Sequence, residues 1–156
     1  MNKEFNYLSA FINEIMVVCP NCKSKATVKS KPENRADTRL ICTVCGLSKN
    51  WKGNASVYCY SHKWDEIDGI LMGQPVDCYF KLPLWYTIDI KGNTLFAYNL
   101  EHLQFLRDFV EDKLRERRQN EYGWSNQSLG SRLPKWLQSA KNRNVIIKKI
   151  DELKNK

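Results

Sequence analysis

Four cysteines at metal-ligand spacing are the residues of this chain most suited to chemistry. They form two pairs, Cys19-Pro-Asn-Cys22 and Cys42-Thr-Val-Cys45, with nineteen residues between the pairs. A Cys-x-x-Cys turn holds two sulfurs on one side of a tight backbone knuckle, and two knuckles supply the four thiolates that Zn²⁺ takes at structural sites. Pro20 stiffens the first knuckle, and Gly46 permits the positive φ needed after the second. The pattern predicts one structural Zn²⁺ with the ligands Cys19, Cys22, Cys42 and Cys45.

Other chemistries of paired cysteines fit the sequence less well. A thioredoxin-like role for Cys19 and Cys22 would leave the matching second pair unexplained. Four thiolates also bind one iron ion, as in rubredoxin, but the longer basic stretch between the pairs and the large remainder of the chain favour zinc. A zinc deaminase needs His-x-Glu ahead of Pro-Cys-x-x-Cys, and neither histidine provides it. The motifs of phosphate loops, nucleophile elbows and His-Glu-x-x-His helices are missing too, so we expect a protein that is not an enzyme.

A second group of potential metal ligands lies further along the chain. Cys59, His62 and Cys78 have suitable ligand types, and Asp77 or His102 could supply a fourth. Free cysteines are also among the most buried residues, and such sets of ligand types often arise by chance, which favours a place for the cysteines in a core. The sequence leaves both interpretations open.

The formal net charge is +8, and it is unevenly spread. Residues 1–60 carry +5 and residues 121–156 carry +5, whereas residues 61–100 carry −2. Basic ends around a neutral middle suit a polyanion such as DNA or RNA, although lysines also serve solubility. Alternation in a strand places Lys25, Lys29 and Lys31 on one side. The residues predicted to contact phosphates are Lys25, Lys29, Lys31, Arg35, Arg39, Lys135, Lys141 and Arg143.

The elements that must position these groups indicate an α+β fold. We expect an N-terminal helix within residues 1–15, because apolar residues recur at helical spacing there. Residues 16–55 form the zinc ribbon of β-hairpins. Residues 56–120 form a body with a β-hairpin at 83–98 and a helix from Leu100 to about Arg118, capped by Asn99. Residues 121–156 form a helical hairpin that begins at Ser131; it either docks on the body or reads DNA as a helix-turn-helix.

The ribbon resembles that of transcription factor IIB. The stretches Leu82-Pro-Leu-Trp85, Leu95-Phe-Ala-Tyr-Asn-Leu-Glu-His-Leu103 and Ser131-Arg-Leu-Pro-Lys-Trp136, with Ser139-Ala-Lys-Asn-Arg143, resemble a group of bacterial ribbon proteins whose role is unsettled. The resemblance implies zinc at the four cysteines and a cytoplasmic bacterial protein. Relatives carry Cys-Cys-Gly in the hairpin turn, where this chain has Asp89-Ile-Lys-Gly92, so that turn holds no shared chemistry.

Two functions follow from the sequence. The first is a nucleic-acid-binding module shaped by zinc, in which Trp51 either stacks on a base or covers the ribbon's apolar face. The second is a protein–protein adaptor whose ribbon docks on a partner complex, with Trp51, Trp85 and Trp124 as anchors. The sequence has no apolar run of membrane-spanning length, and its N-terminal stretch has mixed charge. We therefore expect a cytoplasmic location.

Overall fold

The computed structural model describes residues 8–53, 73–112 and 133–156, together with the backbone of residues 57–58, 70–71, 119–120 and 123–124. Most strands precede the α-helices along the chain, and the short strands at residues 119–120 and 123–124 lie between two helices; the sheets are mostly antiparallel. The predicted α+β class, with a cysteine-bearing ribbon at the N-terminal end, is confirmed. Among the described residues, no helix is long and apolar enough to cross a membrane.

The ribbon is a four-stranded antiparallel sheet with its strands in chain order. Its strands are β1 (Glu14–Val18), β2 (Lys25–Lys31), β3 (Asn34–Ile41) and β4 (Ser48–Asn50). Along β2, small and apolar side chains are buried and alternate with exposed lysines or half-buried Thr27. This alternation gives the sheet one apolar inner face and one polar outer face.

The predicted N-terminal helix is wrong for residues 14 and 15. The described chain has one 3₁₀ turn at Leu8–Phe11 and then enters β1, which pairs with β2 from Glu14↔Lys29 to Val18↔Lys25. The apolar residues at helical spacing are buried as expected, because Phe11, Ile12 and Ile15 also share one side of a turn that leads into a strand. The β-branched run that follows favours the extended form. Residues 3–7 of the prediction lie outside the described part.

The body consists of a hairpin and helices. Strands β7 (Tyr86–Ile90) and β8 (Asn93–Ala97) pair around a turn at Lys91 and Gly92. Helix α1 (Leu100–Glu111) begins at Asn99, whose side chain accepts a hydrogen bond from the His102 backbone N–H at 2.8 Å, as predicted. The helix ends earlier than predicted, since Asp112 already has an extended backbone. Residues 113–118 lie outside the described part.

In residues 133–156, the part of the C-terminal segment that is described continuously, there is one substantial helix. Helix α2 (Lys135–Gln138) is a single turn, a 3₁₀ turn follows at Ala140–Asn142, and α3 (Arg143–Lys154) packs on α1 and β7. The packing of α3 on the body agrees with the prediction that the C-terminal helices dock on the body, the first of the two alternatives above. Ser131, the predicted cap, lies outside the described residues. Asn142 precedes α3 without a capping bond; its backbone is already helical, whereas a capping residue has an extended backbone, and its amide N–H₂ donates to the Trp136 carbonyl at 2.9 Å.

Four short strands complete the described elements. Strands β5 (Val57–Tyr58) and β6 (Ile70–Leu71) pair in parallel, and β9 (Gln119–Asn120) pairs antiparallel with β10 (Gly123–Trp124).

Two clusters of buried side chains hold the chain together. The ribbon core lies on the inner face of the sheet and consists of Phe11, Ile12, Ile15, Val17, Cys19, Ala26, Val28, Leu40, Cys42, Cys78, Tyr79, Leu84 and Tyr98. The body core lies between hairpin and helices and consists of Tyr86, Ile90, Leu95, Ala97, Leu103, Leu106, Val110, Leu137, Ile146, Ile150 and Leu153. Packing therefore crosses the predicted boundary at residue 55.

Strand β1 joins the two parts of the molecule. One edge pairs with β2, and the other contacts residues 83–85 and Tyr98. There Met16 N–H donates to the Tyr98 carbonyl at 2.7 Å, and Trp85 N–H donates to the Met16 carbonyl at 2.9 Å. The Asn99 amide adds bonds to the carbonyls of Phe11 and Glu14. The ribbon is thus closed on one side by the chain that leads into the body.

Candidate metal centre

The two cysteine motifs fold into knuckles with the same backbone hydrogen bonds. In each knuckle the N–H of the first cysteine donates to the carbonyl five residues later, and its carbonyl accepts from the N–H four residues later. The distances are 2.8 and 3.0 Å in both knuckles, for Cys19 N–Ser24 O and Lys23 N–Cys19 O, and for Cys42 N–Leu47 O and Gly46 N–Cys42 O. Identical bonding means that each motif presents its two sulfurs in the same way.

Each knuckle also needs a left-handed residue directly after its second cysteine. Gly46 has φ +75°, as its type predicts, and Lys23 at the matching position has φ +65°. Residue type does not predict the left-handed backbone of Lys23, because a lysine rarely adopts this conformation. Lys23 and Gly46 each lie four residues after the first cysteine of their motif, and this shared position is the sequence signal that identifies Lys23.

The four thiols lie where one tetrahedral ion would bind. Their sulfurs are all within 4.8 Å of one another, with Cys19 Sγ–Cys45 Sγ at 3.7 Å and Cys22 Sγ–Cys42 Sγ at 3.6 Å. A tetrahedral ion with metal–sulfur bonds of about 2.3 Å separates its sulfurs by about 3.8 Å. A disulfide would need about 2.05 Å, and all four thiols are free. The predicted ligand set is therefore brought together and can bind one metal ion.

The ligands span from the core to the surface. Cys19 and Cys42, the first cysteine of each motif, are buried in the ribbon core. Cys22 is half-buried and Cys45 is exposed. An ion bound here would tie the inner face of the sheet to its outermost turns.

Hydrogen bonds around the sulfurs favour thiolates, the form that binds metal. The backbone N–H and the hydroxyl of Ser24 lower the pKa of Cys22 to about 6. The Asn21 side chain and the Leu47 N–H lower the pKa of Cys45.

The buried ligand Cys42 behaves differently. Backbone N–H groups of Cys45 and Val44 favour its thiolate, but burial and the adjacent sulfurs oppose ionisation, and the pKa of Cys42 is raised to about 11. A bound cation offsets this effect because it stabilises the thiolate.

The basic residues of β2 lie on the outer face of the sheet. Lys25, Lys29 and Lys31 are exposed and alternate with buried Ala26, Val28 and Ser30. Within the described residues, Lys25 and Lys29 make no ion pair, whereas Lys31 Nζ lies 2.5 Å from the Asp37 carboxylate. This pair raises the pKa of Lys31 and lowers that of Asp37. Among the described side chains, Lys31 is therefore the one lysine of β2 that is engaged in an ion pair, and the exposed Glu14 is the register partner of Lys29 on β1.

The two arginines of β3 have different environments. Arg35 is half-buried, and its guanidinium donates to Asn13 Oδ1 at 2.6 Å and to the Tyr79 hydroxyl at 3.3 Å. Arg39 is exposed and sits opposite Lys29 on β2 and Asn50 on β4. Arg35 is therefore part of the packing, and Arg39 belongs to the outer face.

The three C-terminal candidates lie in helical elements and not on the strands that carry the ribbon lysines. Lys135 is exposed in α2, and Lys141 is exposed in the following 3₁₀ turn. Arg143 is half-buried, and its Nε donates to the Val110 carbonyl at 3.0 Å, which satisfies the C-terminal end of α1. A structural bond thus occupies part of the Arg143 guanidinium.

Trp51 covers the ribbon core. Its indole N–H donates to the Tyr79 carbonyl at 2.8 Å, and its ring meets the Tyr79 ring edge-on at 5.2 Å. Gly53 lies so close that an added Cβ would be 2.3 Å from the indole. The ring is therefore held in place and does not stand free for a base.

The second set of potential ligands does not form a described site. Among the described residues, the four ribbon cysteines are the only group of three or more metal-binding side chains. The Asp77 carboxylate accepts backbone N–H bonds from Tyr79, Phe80 and Leu82 at 2.6–2.9 Å. His102 stacks on Phe11 at 4.5 Å and accepts from the Tyr98 N–H. Cys78 is buried in the ribbon core; Cys59 and His62 lie outside the described part.

The chain matches no protein-family model, and neither curated proteins nor solved structures give a significant match. The resemblance to the ribbon of transcription factor IIB and to bacterial ribbon proteins stays a prediction.

Proposed function

We propose that this chain is a zinc-ribbon protein that binds nucleic acid through the outer face of its sheet. The observation that carries the proposal is the placement of exposed cations on adjacent strands: Lys25 and Lys29 on β2, and Arg39 directly opposite Lys29 on β3. A rigid array of cations suits the regularly spaced phosphates of DNA or RNA. The nearby carboxylates include Glu14, across from Lys29, Glu33, which acts on Lys31, and Asp37, which forms an ion pair with Lys31.

Zn²⁺ is the ion that we assign to the centre. Tetrahedral sites of four thiolates in small modules hold Zn²⁺ or iron, and the ribbon has the compact sheet that structural zinc stabilises. Elemental analysis of reduced protein tests the assignment. We expect one zinc per chain and no visible absorption; a red protein with one iron per chain would contradict it.

The adaptor alternative loses two of its three anchors. Trp51 is packed on Tyr79, and Trp85 is half-buried beneath Lys156, whose Nζ lies 4.5 Å from the ring centre. The side chain of Trp124 lies outside the described residues. The large apolar side chains that are exposed in the described part, Val44 and Leu100, lie in separate elements, and single exposed apolar residues are ordinary.

A salt titration tests the nucleic-acid function. Fluorescence anisotropy would follow labelled duplexes and single strands of DNA and RNA at several salt concentrations, with the full zinc-loaded chain. We expect affinity to fall linearly on a logarithmic salt scale, through counterion release. The double variant K25Q/K29Q should lose binding.

The matched control is K91Q, which removes an exposed cation from the hairpin turn of the body. It should bind like the native chain. Two results would overturn the proposal. The first is that the native chain binds none of the four nucleic acids at low salt. The second is that K91Q, which removes one charge, loses as much affinity as K25Q/K29Q, which removes two.

A further inference from the structure

Resting on the proposed function, we propose that Arg39, held by Asn50, is the anchor of the outer face and binds a backbone phosphate of duplex nucleic acid. Lys29 supports it from the neighbouring strand. The proposal names both a site and a ligand class: an anionic diester that only accepts hydrogen bonds, presented by a double helix.

The first step is the geometry of one row across the sheet. Lys29, Arg39 and Asn50 are register partners on β2, β3 and β4. Arg39 Nε donates to Asn50 Oδ1 at 3.0 Å, so the guanidinium is held at the sheet surface. A flexible side chain that is fixed before binding loses less entropy when it binds.

The second step is the chemistry that this bond leaves available. Asn50 Oδ1 accepts from Arg39, so the amide N–H₂ remains as a donor. Both terminal guanidinium nitrogens of Arg39 and the Lys29 ammonium are also donors. An array of donors with net positive charge matches phosphate oxygens, and a planar guanidinium can hold two of them at once.

The third step is the shape beside the row. A shallow recess adjoins Arg39 and Asn50 and is lined by Asn34, Ala36, Asp37 and Thr38. Ala36 has a short side chain that leaves the recess open, and the Asp37 carboxylate forms an ion pair with Lys31 Nζ at 2.5 Å. A phosphate can therefore approach the guanidinium from the recess without meeting an unpaired carboxylate.

The fourth step selects a duplex over a single strand. Proteins that bind single strands rely on exposed aromatic rings on which bases stack. In the part of the chain that the structure describes, the exposed large apolar side chains are Val44 and Leu100, and Trp51 is packed against Tyr79. The outer face offers charge and hydrogen-bond donors, which suit a regular backbone.

Four variants of the full zinc-loaded chain separate the roles of charge and geometry. R39Q removes the charge, R39K keeps the charge but loses the planar fork, and N50A changes no charge but releases the guanidinium. K91Q is the matched control for lost charge. Binding is measured by anisotropy against two duplexes of unrelated sequence and one single strand, each across a salt series, with zinc content as the check on folding.

The expected results differ between variants. R39Q should reduce the slope of log affinity against log salt by about 0.9, the value for one phosphate contact. R39K and N50A should keep the native slope and weaken duplex binding by about tenfold and about threefold, as oriented charge-assisted bonds are lost. The losses should be equal on both sequences, and K91Q should match the native chain.

Each contrary result has a distinct meaning. If the native chain binds duplexes and R39K and N50A bind equally well, the anchor is disproved while the proposed function stands. If R39K and N50A lose affinity for only one of the two duplex sequences, Arg39 contacts bases and not the backbone. If the native chain binds the single strand more tightly than the duplexes, a duplex is not the preferred ligand. Either result overturns the inference. If the native chain binds no nucleic acid, the proposed function and the inference fail together.

Discussion

The ribbon core and the body core are stabilised by different means. The body core is built from one hairpin and the helices that follow it, and its buried residues come from β7, β8, α1, α2 and α3. Among the described residues, the buried side chains of the ribbon core come from strands and turns between residues 11 and 98, and they include the thiols of Cys19 and Cys42. The ribbon core therefore includes side chains that can bind a metal ion, whereas the described body core consists of packed side chains that include none of these ligands.

This difference makes the two parts sensitive to different conditions. A thiolate centre responds to acid, chelators and oxidants, because each of these removes the ligand form of cysteine or the ion itself. A packed apolar core responds mainly to lost volume. Substitutions in one part should therefore leave the other part's signature unchanged, and the following experiments test that separation.

The largest effect is expected from Cys42→Ser. Structural zinc contributes on the order of 10 kcal/mol to such modules, so loss of this buried ligand should unfold the ribbon. Elemental analysis should find no zinc, and hydrogen exchange should show unprotected amides in β2 and β3. The control is Cys78→Ala, which alters a buried thiol of the same core that is not a ligand and should keep the ion. Full zinc occupancy in Cys42→Ser would contradict the assignment.

A smaller loss is expected from Ile150→Ala in the body core. Ile150 on α3 is fully buried, and truncation of such a residue costs about 2–5 kcal/mol. Urea unfolding should detect the loss, and zinc content should stay at one ion. Ile147→Ala, at a half-buried position of the same helix, should cost less. Loss of zinc in Ile150→Ala would show that the two cores form one cooperative unit.

His102 gives the molecule a specific sensitivity to acid. Burial lowers its pKa from 6.5 to about 3, so the unfolded chain binds a proton between these values that the folded chain does not. The contribution to stability is complete above pH 6.5 and decreases by about 1.4 kcal/mol per pH unit as the pH falls towards 3.

The variant His102→Gln tests this dependence, because glutamine can accept the Tyr98 N–H bond and does not titrate. Urea unfolding between pH 5 and 7 should give a shallower pH dependence for the variant. The metal centre also weakens in acid, but equally in both proteins, so the difference between the slopes isolates His102. Parallel slopes would show that His102 is protonated in the fold.

The smallest effects are expected at the left-handed residues of the knuckles. Gly46→Ala meets no atom within 4 Å of its new Cβ, so its cost is the backbone conformation alone, about 1 kcal/mol. Lys23→Gly relieves similar strain but adds freedom to the unfolded chain, so it should change stability by less than about 0.5 kcal/mol. Chelator competition should show about fivefold weaker zinc binding only for Gly46→Ala. If Lys23→Gly lost as much zinc affinity as Gly46→Ala, the left-handed positions of the two knuckles would not be equivalent.

The local features of this molecule could be predicted from the sequence. The cysteine spacing gave the ligand set, the alternation of Lys25, Lys29 and Lys31 gave the outer face, and Asn99 gave the start of α1. Each of these depends on residues within a few positions of one another. The identity of the ion and the nucleic-acid partner stay predictions.

What could not be predicted depends on contacts between distant residues. The strand at residues 14–18 forms because β2 and residues 83–85 pair with its two edges, and this pairing overrides the helical spacing of the apolar side chains. Arg35 and Arg39 have the same charge and similar positions, yet only the fold places Tyr79 beside one and Asn50 beside the other. Charge counts do not separate a packing arginine from a surface one.

The position of β1 between two partners has a consequence for synthesis on the ribosome. All four thiols and strands β1 to β4 leave the exit tunnel before Leu84 and Tyr98, which close the other side of β1. The four sulfurs are therefore available to a metal ion while part of the apolar inner face of the ribbon is still open to water. In the nascent chain, the residues that can bind metal precede the residues that complete the core.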